Sequence, residues 1–92
     1  MDNEEYVHAN KNEIWFDEKK RTWNWYIPEE ISKEEREIVE FAIVAYQHML
    51  EKPVFTYGEF ANAIEEFYDL SNPVNFSIHD TLLKMEGLTN DT

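Results

Sequence analysis

The chain contains no cysteine, so it can build neither a disulfide nor a thiolate metal site, and a secreted domain of this size usually needs such staples. It has only two glycines, Gly58 and Gly87, which leaves no glycine-rich loop to cradle a phosphate. No apolar run approaches the roughly 18 residues of a membrane span. The opening Met1-Asp2-Asn3-Glu4-Glu5 is acidic where a secretory signal is basic. Together these absences predict a soluble, cytoplasmic protein with no membrane partner. Positive charge is scarcest of all: 8 Lys and Arg against 20 Asp and Glu give a formal net charge of −12 on 92 residues, well beyond the magnitude of roughly 2 to 8 usual for a small domain.

Catalytic equipment is also missing. His8, His48 and His79 are far apart and none has a two-histidine helical metal spacing. The carboxylates follow no calcium-loop pattern. The expectation is therefore a protein that is not an enzyme and needs no metal or cofactor.

What is present is a core. Hydrophobic residues make up 42% of the chain, with three Trp, five Tyr and six Phe, so the acidity is laid over a folded domain and not over a disordered tail. The pattern predicts one domain over residues 1–92 of α+β class, an N-terminal β-hairpin packed on a three-helix, helix-turn-helix-like unit. Residues 1–12 read as a polar lead-in. Residues 13–27 read as a hairpin: a four-residue loop, Glu18-Lys19-Lys20-Arg21, would set Phe16 opposite Trp23 and Ile14 opposite Trp25. Trp15 and Tyr26 then point to the outer face, where exposed aromatics make candidate interface anchors, for a foreign partner or for a homodimer.

A capping box, Ser32-Lys33-Glu34-Glu35, opens a first helix over residues 32–52, stopped by Pro53. A second box, Thr56-Tyr57-Gly58-Glu59, with Phe55 and Phe60 as a hydrophobic staple, opens a helix over 56–70. A third helix is expected over 77–87, from Ser77 to a Gly87 stop with Leu88 folded back on Leu83. Ile38, Val39, Ala42, Ile43, Tyr46 and Met49 give the first helix its apolar stripe, which Phe41 and Val44 widen, and Phe60, Ile64, Phe67 and Tyr68 give the second its own.

The order helix, short connector, helix, turn, helix over residues 32–87 resembles a helix-turn-helix or winged-helix core. Phe55-Thr56-Tyr57-Gly58-Glu59-Phe60-Ala61, followed by Asn72-Pro73, resembles the tyrosine-glycine-acid-x-alanine turn in the DNA-binding domain of the alkylguanine-DNA alkyltransferases. That resemblance implies a scaffold and excludes the activity, because those enzymes accept the alkyl group on a cysteine and this chain has none. A recognition helix needs Arg, Lys, Asn or Gln on its exposed face. Lys84 is the single Lys or Arg beyond Pro53, against Glu59, Glu65, Glu66, Asp69, Asp80, Glu86 and Asp91, so phosphates approaching this half meet repulsion and direct nucleic-acid binding is not expected. The basic tip Lys19-Lys20-Arg21 is the one place where a winged-helix-like regulator could touch a phosphate.

The acidic residues fall into two groups: Glu29, Glu30, Glu34, Glu35, Glu37 and Glu40 around the start of the first helix, and Glu59, Glu65, Glu66 and Asp69 on the second. Glutamate is a good helix former on solvated faces, but Lys and Arg form helices as well and are scarce here. Rigid arrays of carboxylates can present charge as a phosphate backbone does. The expected function is that of a small acidic inhibitor, of the kind phages and mobile elements encode, that mimics nucleic acid and blocks a basic, nucleic-acid-handling site on another protein. A protein–protein assembly subunit whose acidity serves only solubility is the other alternative.

Overall fold

A computed structural model describes residues 11–90. Most of the expected lead-in over residues 1–12, including His8, therefore lies outside the described residues. The elements are β1 (Glu13–Asp17), β2 (Thr22–Asn24), α1 (Lys33–Tyr46), a 3-10 turn (Gln47–Leu50), β3 (Val54–Thr56), α2 (Tyr57–Phe67) and α3 (Pro73–Thr89). The α+β class and the hairpin followed by three helices are as the sequence predicts.

β1 and β2 are antiparallel with Phe16 opposite Trp23, the register that the four-residue loop dictates. Asp17 fixes that loop: its carboxylate accepts the Lys19 and Lys20 amides at 3.0 and 3.2 Å, and its carbonyl accepts the Arg21 N–H at 2.7 Å. Arg21 closes the turn in the left-handed region at φ 61°.

The hairpin is shorter than residues 13–27. β2 ends at Asn24, so Ile14 does not face Trp25; it pairs instead with Phe55 across the other edge of β1. Trp25 and Ile27 leave the ladder and pack partly buried against the core. The sheet thus has three strands in the order β2-β1-β3. β3 is too short for an alternating pattern to reveal it, and it forms because β1 offers an unpaired edge. The Phe16 N–H to the Pro53 carbonyl (2.8 Å) and the Tyr57 N–H to the Asn12 carbonyl (2.9 Å) extend the pairing at both ends. Proline donates nothing, but its carbonyl still accepts.

Both predicted capping boxes are present, each with both reciprocal hydrogen bonds. α1 nevertheless stops at Tyr46, short of the predicted residue 52. Its continuation tightens into the 3-10 turn, and Glu51, left-handed at φ 55°, ends it two residues before Pro53. α2 stops at Phe67 because Tyr68 is extended. α3 begins four residues earlier than predicted. Asn72 Oδ1 caps it by accepting the Val74 and Asn75 amides at 2.8 and 3.4 Å, and Pro73 occupies the first helical position, where its missing N–H costs nothing. The helix then runs through Gly87 to Thr89, so the expected Gly87 stop and Leu88 fold-back do not form.

The core gathers Ile14, Phe55, Val39, Ile43, Phe60, Ile64, Ile78, Leu82 and Met85, all at most 2% exposed, each contributing about 1.5–3 kcal/mol through burial. A run of rings links the sheet to α2: Phe16 to Trp23 (5.4 Å between centroids), Trp23 to Phe55 (5.6 Å) and Phe55 to Phe60 (5.2 Å), the last being the predicted staple. Tyr57 is fully buried and donates its hydroxyl to the Tyr26 carbonyl at 2.8 Å. This bond ties the segment after β2 to the start of α2, and burial pushes the phenol pKa up.

Candidate interaction surface

Pro28 and Ile31 turn inward and are buried, and the Ile31 N–H bonds the Pro28 carbonyl at 3.2 Å. The two residues between them, Glu29 and Glu30, are thereby held outward on a fixed turn. Ser32 then caps α1, and Glu34, Glu37 and Glu40 follow on its exposed side. None of these five carboxylates forms an ion pair among the described residues. They stand on backbone fixed by a turn and a capped helix, so presenting them to a partner requires no further ordering of the chain.

The remaining predicted acidic residues have local work. Glu35 accepts the Ser32 N–H at 3.0 Å in the capping box and Lys84 Nζ at 2.9 Å. The backbone bond, followed by Lys84, holds its pKa below the ordinary carboxylate value. Glu59 accepts the Thr56 N–H at 3.0 Å and Lys52 Nζ at 3.2 Å, which lower its pKa in the same way. Asp69 accepts both the Ser71 N–H and the Ser71 hydroxyl, and its pKa is lowered accordingly. Glu65 lies 3.5 Å from His79 Nε2. Glu66 is exposed on α2. The structure thus gathers five members of the first group on one turn and helix start, and gives Glu35, Glu59 and Asp69 capping and turn roles.

The aromatic pair is not arranged as the hairpin pattern suggests. Trp15 is half-buried within β1, between Asn24 and Val54 in the two ladders. Tyr26 lies beyond the end of β2, 42% exposed, with Lys11 Nζ 5.2 Å from its ring centroid.

Sequence reasoning missed a groove between α1 and the start of α3. Ile38 and Phe41 from α1 and Pro73, Val74, Ser77 and Ile78 from α3 line it, with Glu34 and Glu37 beside them, in a volume of about 520 Å³. Phe41 and Val44, which the sequence pattern places on a widened core stripe, are 55% and 74% exposed. The residues of α1 that are buried, Val39, Ala42 and Ile43, occupy one arc, and 34, 37, 41 and 44 recur at steps of three and four on another. That second periodicity was the available signal. Phe67, also read as core, is 60% exposed because α2 turns it outward near its end.

The exposed side of α3 carries Phe76, Asp80 and Leu83, while Lys84 is engaged by Glu35. Every buried side-chain N or O atom among the described residues has a hydrogen-bond partner, and no group of three or more His, Asp or Glu among them could hold a metal ion. No helix among the described residues is long and apolar enough to cross a membrane. Comparison with protein-family models, with curated proteins and with solved structures finds no match.

Proposed function

We propose that this protein is a non-enzymatic, acidic binding protein that occupies a basic, nucleic-acid-handling site on another protein and excludes nucleic acid from it. The observation that carries this reading is the set Glu29, Glu30, Glu34, Glu37 and Glu40, exposed on rigid backbone without an ion pair among the described residues, in a chain of net charge −12. Fixed charges of one sign steer a basic partner and raise its association rate, and they compete directly with phosphates for the same lysines and arginines. The cysteine-free composition supports an intracellular setting for that encounter.

The test is capture of partners from bacterial lysate on the tagged protein, with stepwise salt elution and competition by DNA. A nucleic-acid-binding protein released by moderate salt and displaced by DNA is the expected product. With that partner in hand, the association rate should fall steeply with ionic strength; a flat rate would rule out mimicry.

A second reading, a winged-helix-like DNA-binding regulator, rests on the exposed hairpin tip, where Asp17 orders a turn that carries Lys19, Lys20 and Arg21. Under it, changing all three to Glu abolishes a gel shift. The acidic and apolar exposed side of α3 counts against it.

A further inference from the structure

We propose that the groove between α1 and α3 is the specificity pocket for a basic amphipathic helix of the partner, taking its apolar anchors between Phe41 and Val74 and its flanking Lys or Arg on Glu34 and Glu37. The groove's volume, about 520 Å³, is within the roughly 300–1,000 Å³ of concave binding sites. Its walls are prepared for an apolar side chain. The Phe41 ring stands edge-on to Tyr46 at 6.0 Å, and Tyr46 packs on Tyr68 at 5.0 Å, so the wall is braced from behind while Phe41 stays 55% and Val74 60% exposed.

Charge selects the occupant. None of the lining residues is basic. Glu34 and Glu37 are the only charged residues in the lining, and at the N-terminus of α3 Asn72 accepts two of the amides, which blunts the positive dipole end there. The rim of the groove is therefore acidic. A second copy seated there by two-fold symmetry would bring both copies' Glu34 and Glu37 together, in addition to the repulsion of two chains each at −12. A lysine- or arginine-bearing helix instead satisfies the apolar floor and the acidic rim together, in the helix-in-groove mode.

The inference takes the sign of the partner's charge from the proposed function, but it does not depend on the partner handling nucleic acid. The probe is a labelled peptide of about 14 residues with leucine at helical spacing and lysine elsewhere, compared by fluorescence anisotropy with a serine-for-leucine peptide of equal charge. The leucine peptide should bind, and the serine peptide should bind at least about tenfold more weakly. Phe41→Ser should weaken the leucine peptide by a similar factor. Val74→Asp is the decisive variant: it adds negative charge, so attraction by charge alone predicts unchanged or tighter binding, whereas a groove that must bury an apolar anchor predicts weaker binding. Both residues are exposed and thermal melts check that each variant folds. Asn62→Gln, a charge-neutral change on the exposed side of α2 and away from the groove lining, should leave binding unchanged. Equal affinity for the two peptides, tighter binding by Val74→Asp, or a concentration-dependent dimer that Phe41→Ser dissolves would each overturn the proposal. Failure here with the DNA-displaceable capture intact removes only the groove; success here without a nucleic-acid-handling partner removes only the proposed function.

Discussion

Replacing Glu86 should expose how α3 is locked to α2 and to the segment that enters β1. Its Oε1 accepts the Gly58 N–H at 2.9 Å and its Oε2 accepts Asn12 Nδ2 at 3.3 Å, so a carboxylate on α3 caps α2 and touches the residue before β1. The first three amides of α2 are then all satisfied, Tyr57 by the Asn12 carbonyl, Gly58 by Glu86 and Glu59 by Thr56 Oγ1. The approach is close: a Cβ at position 58 would lie 3.3 Å from Glu86 Cδ, so a larger residue there makes the Glu86 side chain give by a few tenths of an ångström. A hydrogen bond to a charged group is worth about 1.5–3 kcal/mol, and a carboxylate at a helix N-terminus about 0.3–1 kcal/mol more. Both bonds are only part-buried, so water recovers a share when the side chain is removed. Glu86→Ala should therefore cost about 1–2 kcal/mol and lower Tm by roughly 4–8 °C per kcal/mol. Glu86→Gln keeps an acceptor for Gly58 and should cost about half as much. Urea unfolding followed by the fluorescence of the partly buried Trp23 and Trp25 measures both. A Glu86→Ala variant within about 0.3 kcal/mol of the parent would refute the tertiary cap, since that is the scatter expected for residues that do not interact.

Two further outcomes follow from local geometry. Gly87 lies inside α3 with ordinary backbone and open space where a Cβ would project, so Gly87→Ala should stabilise the protein by about 0.4–1 kcal/mol in the same assay; a loss of stability would mean that the helix ends at Gly87 after all. Glu35 and Glu59 have folded-state pKa values lowered by their caps, so the stability they add is present above the ordinary glutamate value of about 4.3 and is lost as pH falls through the lowered values. Glu59→Gln should thus destabilise at neutral pH, with a penalty that shrinks progressively as the pH is lowered below the ordinary glutamate range, as compared in parallel melts; a penalty that stays constant into acid would contradict the assignment.

The sequence by itself determined whatever is encoded over a few neighbouring residues. Ser32 with Glu35 and Thr56 with Glu59 form their capping boxes, and the four-residue loop sets Phe16 against Trp23, because a cap or a tight turn is satisfied within a few positions of the chain. Adjacent signals compete at one place: Asn72-Pro73 lies just past the expected helix end at residue 70, yet an Asn cap followed by proline is a start signal, and α3 begins there and not at Ser77. The tertiary structure decided the rest. β3 exists because β1 has a second edge, which three residues cannot announce. Glu86 reaches an amide 28 positions away, and Lys84 takes up Glu35 from 49. The acidic residues look alike as letters; packing sorts them into those spent on caps and turns and those left facing solvent, five of which share one turn and helix start. The α1–α3 groove arises only when two helices distant in sequence are set side by side, so the composition could announce an excess of negative charge but not the surface that presents it.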